Sequence, residues 1–354
     1  MGGTRPLVER YREFADAAAA AGSVLTARVA RAISDAPDVL RALEIAIPAR
    51  RCRPALVLAA VHDVSLSGRA PALAAAYSTG DAEAAAAAAC ALLLGDMEAV
   101  LAVVERRRAP AVADNFGAIL YPAVAEAAYR AGASTIGLID VGCGAGLDLA
   151  LERVGITYDS GQVLGDPSSP VQLTASLVGH RRVPGRGLPE VVARIGVDAE
   201  PLDVTDADDA RWLRACLAPD ATQRAAQLSA ETEQLAADPP VLVAGDVIDV
   251  LPEALGAVPN DALPVVITTW VLSRLAPEKR LRFLQRLDEA ATERRVAWVS
   301  VEGVGVAPAV PTLGDRRASG HSIIGQAVFE HSVLHAAAIG RCWSQGRLMS
   351  WLAD

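Results

Sequence analysis

Three glycines at alternate positions, Gly142, Gly144 and Gly146, separate an apolar run ending in Asp140 and Val141 from a helical pattern opening at Leu147. The stretch LIDVGCGAGLDLAL (138–151) therefore reads as strand, tight turn and helix. Glycine tolerates positive φ at such a turn and lets the backbone approach a ligand with no Cβ between them. A nucleoside at the carboxyl ends of the strands is the expected occupant. A dinucleotide fingerprint requires G-x-G-x-x-G and a helix N-terminus facing a pyrophosphate. The loop instead reads G-x-G-x-G, and Asp140 and Asp148 place negative charge where the pyrophosphate would lie. An uncharged or cationic ligand suits it better.

Other chemistry-bearing residues are scattered. His180 and His321, the latter in GDRRASGHS, sit in polar, turn-rich surroundings and are base candidates; ordinary surface histidines are the alternative. Glu302 closes RRVAWVSVE and would reach the carboxyl edge of a sheet, as a base, a substrate ligand or a structural carboxylate paired with Arg274. Trp270, following Thr269, offers an aromatic face that attracts cations, or packs in the core. Acidic neighbours should raise the Cys143 thiol, so it reads as a loop-filling residue. His331 and His335 are four apart, but their segment reads as a strand without carboxylates or cysteines to complete a site, so no metal is assigned. His62, on an apolar helical pattern, reads as a buried core histidine. Neither G-x-S-x-G nor a P-loop occurs.

The elements that must position these residues fall into two textures. Residues 5 to about 132 carry apolar positions at three- and four-residue spacing, broken at Pro37, Pro48, Pro54, Ser67-Gly68 and Thr79-Gly80. This predicts an all-helical N-terminal region over 1–133. From 134 to 354, short apolar runs alternate with helical patterns: 136–141, 191–198, 240–247, 263–270 and 294–302, with helices over 207–217, 221–237 and 277–292. Two further runs, 326–337 and 342–352, read as a closing antiparallel hairpin. The expectation is an open, doubly wound α/β domain. Residues 156–180, rich in Gly, Pro and Ser turns, read as an inserted hairpin beside the glycine loop.

At this level of detail the residues resemble a known family. DVGCGAG is similar to motif I of the class I S-adenosylmethionine-dependent methyltransferases. IGVDAEP resembles the second motif, AGDVIDVLP the third, and PVVITTWVLSRLAPEKRLRFLQRL the fourth with its following helix. The resemblance covers about residues 134–352 and implies a Rossmann-like sheet of the class I methyltransferase type with S-adenosylmethionine as cofactor. It implies that Asp140, Gly142, Cys143, Gly144 and Gly146 surround the methionine part, Asp198 binds the ribose hydroxyls, and Asp246 with Val247 flanks the adenine. Thr269 and Trp270 would complete the cofactor site, and Tyr158, Asp159 and Arg274 would meet the substrate. Asp159 lies nearer than Asp198 to the usual interval of about 20 residues after the loop. Asp198 is preferred because VVARIGVD is apolar enough for a buried strand. The whole chain also resembles an uncharacterised bacterial family, number twenty-three thirty-two of the domains of unknown function, through GLDL, GDPSSPV, RIGVD, AGDV and LMSWL.

Composition is compatible with this. A formal charge of -9 and a pI near 5.2 repel a polyphosphate, so nucleic acid is not an expected partner. Arginine runs at 50–53 and 106–108 read as solvated helix ends. The five cysteines are scattered with no C-x-x-C pair, which points to a reducing, cytoplasmic compartment. No basic-then-apolar leader opens the chain, and the apolar stretch 84–95 is shorter than the roughly 20 residues of a bilayer span. The expected function is methyl transfer to a small or medium-sized acceptor, possible at oxygen, with the helical region and the insert capping the site. A non-catalytic binding module and a nicotinamide-dependent oxidoreductase are the alternatives.

Overall fold

The computed structural model describes residues 6–107, 116–331 and 333–353; Arg108, the end of the second arginine run, lies outside them. The chain divides into two compact units, Met1–Val112 with Thr205–Ser229, and Ala113–Val204 with Ala230–Asp354. The segment 205–229 thus belongs with the helical unit, although the alternation of patterns had placed it among the crossover helices of the sheet.

The first unit contains α1 (Leu7–Ala20), α2 (Val24–Asp35), α3 (Pro37–Ala46), α4 (Pro54–Leu66), α5 (Pro71–Thr79), α6 (Ala82–Gly95) and α7 (Met97–Arg106). Proline occupies the first turn of α3, α4 and α5, where its missing N–H has no intrahelical partner to lose. The continuous pattern over 82–106 breaks at Asp96, whose side chain caps α7 through the Ala99 N–H, and α6 and α7 meet at 87°. No single helix among the described residues is long and apolar enough to cross a membrane.

In the second unit, α8 (Gly117–Arg130) precedes β1 (Thr135–Val141). Next come β2 (Gly155–Tyr158), β3 (Val163–Gly165), β4 (Gln172–Leu177) and β5 (Glu190–Asp198). The chain then passes through α9 (Ala207–Ala215) of the first unit and α10 (Thr222–Ala236) to β6 (Val241–Ala244) and α11 (Leu251–Gly256). It ends with β7 (Leu263–Thr269), α12 (Pro277–Ala290), β8 (Val296–Gly303), β9 (Ser322–Glu330), β10 (Val333–Trp343) and β11 (Leu348–Trp351). The strands form one mostly parallel sheet in the order β3-β2-β4-β11-β10-β9-β8-β7-β1-β5-β6.

Every residue of α8 from Gly117 to Ala128 is buried. Its apolar side chains leave no polar face for solvent, and such a helix must be covered all round. It touches β2, β4, β7, β8 and β9, and its residues share one apolar layer with Ile136, Val265, Val299, Ile324 and Trp351. The opposite face of the sheet packs on α11 and α12 through Leu251, Leu255, Phe283 and Leu287.

Three expectations are corrected. The glycine loop leads into a short 3-10 stretch, Leu147–Arg153, kinked at Ala150, rather than a full crossover helix; the strand-forming run from Val154 ends it. The insert contains the expected hairpin as β2 and β3, but adds β4, which pairs in parallel with both β2 and β11 and joins the main sheet. The run 326–337 is not one strand: it holds the turn between β9 and β10, with His331 at φ 43°.

Candidate functional site

The parallel strands run β6-β5-β1-β7-β8, so the winding reverses between β1 and β7. Ligands of open α/β sheets bind outside the carboxyl ends of the strands at such a switch point. The glycine loop lies there. Its first turn is fixed by the Gly142 and Cys143 N–H groups, which both donate to the Val197 carbonyl, at 2.7 and 3.2 Å. Gly142 has φ 80°, and a Cβ on it would stand 2.8 Å from Val271, so glycine is required on both counts. Gly144, at φ 56°, faces open space. Gly196 on β5 lets Cys143 pack, because a Cβ there would meet its Sγ at 2.7 Å.

Asp198, at the end of β5, is brought to this loop. Its Oδ2 accepts the Gly144 N–H at 3.2 Å and its Oδ1 accepts the Glu200 N–H at 3.0 Å. Asp140 is buried at the end of β1; desolvation, then Asp148 and Asp198, push its carboxyl well above the usual range. Burial, with Asp140 and Asp198, likewise raises the Cys143 thiol, in keeping with a loop-filling role. The crevice therefore gathers three carboxylates, one of them dry.

Asp246 lies beyond β6 and Val247 is buried beside it. Asp246 Oδ2 accepts from Lys279 Nζ at 2.5 Å and Oδ1 from the Ile248 N–H at 3.0 Å, and the lysine holds this carboxyl below its ordinary value. Lys279 is the chain's sole lysine. Nothing in the sequence pattern pointed to this pair.

Beyond β7, Thr269 carries a buried Oγ1 without a partner. Trp270 takes φ 53°, a left-handed conformation costly for a bulky residue. Its N–H donates to Val301, its indole Nε1 donates to Ser322 Oγ at 2.7 Å, and its ring stands edge-on to Phe116 with centroids 4.7 Å apart. Glu302 holds the turn that follows, accepting the Leu272 N–H at 2.9 Å and the Ser273 N–H at 3.2 Å. The structure thus gives Glu302 a positioning role on the backbone, and the guanidinium of Arg274 is exposed rather than paired with it.

Burial raises Glu302 to about 7, opposed by its two backbone donors and by Arg280 and Arg274. A raised acid favours the protonated folded state, so its stabilising contribution is full below about pH 4.5 and lost as pH rises through about 7. The change is about 3 kcal/mol. Glu302→Gln, which cannot ionise, is expected to gain stability relative to wild type by about that amount between pH 4.5 and 8. Urea denaturation across that range measures it, and parallel curves for the two proteins would contradict it.

His321 lies at the same edge, because Ser322 pairs with Gly303 at the end of β8. Its Nε2 meets Asp315 Oδ2 at 2.9 Å, and Asp315 also accepts from Arg341 Nε at 2.6 Å and Nη2 at 3.1 Å. Arg341 and His321 hold the Asp315 carboxyl low. The His321 ring packs 5.4 Å from that of Trp343. Asp315, Arg341 and Trp343 escaped the sequence reading because they converge only when β10 lies beside β9.

Other candidates lie elsewhere. Tyr158 is buried, and its hydroxyl donates to the Ala118 carbonyl at 2.6 Å, which makes it part of the α8 core instead of a substrate ligand. Asp159 accepts the Leu177 N–H at 2.9 Å and ties β2 to β4, so the structure brings Asp198 and not Asp159 to the glycine loop. His180 is exposed beyond β4, six strands from β1 in the sheet order. His331 and His335 occupy a turn and β10, and no metal-holding group of three His, Cys, Asp or Glu side chains occurs among the described residues. In the helical unit, His62 Nδ1 lies 3.1 Å from the carbonyls of Ala215 and Leu217; burial, then Arg214, lowers it to about 4.

The fold is mixed α/β, and at its switch point a glycine loop stands among Asp140, Asp148 and Asp198. Over residues 8–351 the chain matches the family described as "Uncharacterized protein conserved in bacteria (DUF2332)", and it belongs to that family. Comparison with curated proteins finds no match.

Proposed function

We propose that the crevice binds S-adenosylmethionine and that the protein transfers a methyl group to a small or medium-sized acceptor. The observation that carries this reading is the cluster of Asp140, Asp148 and Asp198 around a glycine loop, with the Asp140 carboxyl raised by burial and by the other two. A cation placed there relieves the repulsion; a pyrophosphate would add to it. The short, kinked 3-10 stretch after the loop also lacks the aligned peptide dipoles that draw phosphate to an α-helix N-terminus. Both features disfavour the nicotinamide alternative. The strand order β6-β5-β1-β7-β8 supports a Rossmann-like, doubly wound reading of the class I methyltransferase type.

The residues fit the cofactor. Gly144 leaves room against the backbone, Asp198 keeps lone pairs for two ribose hydroxyls, and the orphaned Thr269 Oγ1 needs a partner. Asp140 and Asp148 would hold the positive methionine end, and Asp246 with Val247 the adenine. When bound, the cofactor supplies an electrophilic methyl group on a sulfonium. His321 would take the acceptor's proton: with Asp315 accepting from Nε2–H, Nδ1 is the basic nitrogen. It lies three strands from β1, about 14 Å at the usual strand spacing.

His321→Asn is expected to lower turnover about a hundredfold or more, the range of a lost general base, while S-adenosylhomocysteine affinity stays within about twofold. The check is S-adenosylhomocysteine formation with a panel of phenols, alcohols and carboxylic acids. A variant as active as wild type would remove His321 from the chemistry. Cofactor binding with no product from any acceptor would favour a binding module.

A further inference from the structure

At the opposite, amino edge of the sheet, a cavity of about 710 Å³ opens between the end of α8 and the β9–β10 hairpin. This is the size range of small-molecule sites. Its lining includes Gln326, which is only 2% exposed, and neither the Nε2 nor the Oε1 of that side chain has a hydrogen-bond partner. Gln326 pairs across the sheet with Val299 and Ala337 and falls between Ile324 and Val328, which belong to the α8-facing apolar layer. Strand alternation puts its amide on that same face, toward the helix and the cavity. A buried primary amide with donor and acceptor both unmet is a costly arrangement that a packed core avoids by using Met or Leu. Here it forms part of the wall of the cavity.

The rim supplies the complementary chemistry. Arg295 is committed, through Nε to Glu330 at 2.7 Å and through Nη1 to the Ala131 carbonyl at 2.9 Å. Arg130 uses only Nε, on Glu126 at 2.8 Å, which leaves its terminal nitrogens available, and His335 stands beside the same opening. Apolar walls come from Val328 and Ala337, which share the α8-facing side with Gln326. An amide pairs at two points with a group that presents a donor and an acceptor side by side, as glutamine does with N6–H and N7 of adenine and as it would with the N–H and C=O of a lactam.

We infer that this cavity is a second small-molecule site, which takes a carboxylate-bearing cyclic amide (a lactam or imide): its amide edge on Gln326 and its carboxylate toward Arg130. The site is separate from the carboxyl-edge crevice and stands whether or not the methyltransferase reading does.

The test is calorimetric titration of the full chain with 5-oxoproline and with orotate, against cyclopentanecarboxylate, which lacks the amide, and 2-pyrrolidinone, which lacks the carboxylate. Both amide acids are expected to bind more tightly than either control. Gln326→Met, close in volume, should weaken them at least tenfold, and Arg130→Ala, after which buried Glu126 keeps Arg186 as its partner, should weaken the acids while leaving 2-pyrrolidinone unaffected. No binding of either acid to wild-type protein, equal binding by the two variants, or a crystal structure soaked with orotate that shows only water on the Gln326 amide would overturn the inference.

Discussion

Asp198→Ala is expected to weaken S-adenosylhomocysteine binding by ten- to a hundredfold or more, because hydrogen bonds to a charged group are worth about 1.5–3 kcal/mol. The loss has two sources. The carboxylate that would receive the ribose hydroxyls disappears, and the Gly144 N–H loses the Oδ2 that holds the glycine loop at 3.2 Å. Asp159→Ala is the matched control, since that carboxylate serves the Leu177 N–H between β2 and β4 and should leave affinity unchanged. Calorimetry on the two variants separates the candidates directly. Equal affinity in Asp198→Ala and wild type would remove the ribose role.

The second large effect concerns stability. Trp298→Ala is expected to cost about 3–5 kcal/mol, the range for truncating a fully buried aromatic. Trp298 is 0% exposed in β8, packs edge-on against Phe283 of α12 with centroids 5.3 Å apart, and donates from Nε1 to Thr268 Oγ1 at 3.0 Å. Truncation opens a cavity between sheet and helix and strips a buried hydroxyl of its partner. The same helix carries Lys279, so the Asp246 pair depends on this packing. Chemical denaturation measures the loss, and a change below about 1 kcal/mol would show that α12 is held by something else.

What was legible in the sequence follows the range of the forces involved. Three of the five parallel strands, β1, β7 and β8, were readable because burial on both faces writes continuous apolar runs such as LPVVITT and VAWVSV. The glycine loop was readable because positive φ leaves a signature in residue type. Antiparallel closure of the sheet beyond β8 was expected, but the division of its runs into three strands was not readable. Nothing local in QAVFEHSVLHAA separates one strand from two with a turn, and the turn falls at His331, without the glycine or proline that marks most turns. The role of α8 was likewise hidden, because AILYPAVAEAA reads as one more apolar helix until the sheet is seen to surround it.

The candidate site divides the same way. Asp140, Gly142, Gly144 and Asp198 were assigned through the methyltransferase resemblance, Asp198 for its apolar strand and against the usual spacing, and they do converge. Glu302 was placed at the correct edge, but its partners are backbone N–H groups, and no side-chain pattern encodes them. Tyr158 and Asp159, in ITYDSG, were assigned to the substrate. Pairing of that run with β4 turns one residue into core and the other into a cap on the strand pair. The Asp315–His321–Arg341 cluster needed β9 and β10 in register before it existed at all.

The measurement that bears most directly on the central claim is a titration of the wild-type protein with S-adenosylmethionine, S-adenosylhomocysteine and NAD under identical conditions. The acid-ringed glycine loop predicts saturable, one-to-one binding of both sulfur nucleosides and little or no binding of NAD. Preferential binding of NAD, or no binding of the sulfur nucleosides by folded protein, would contradict the account.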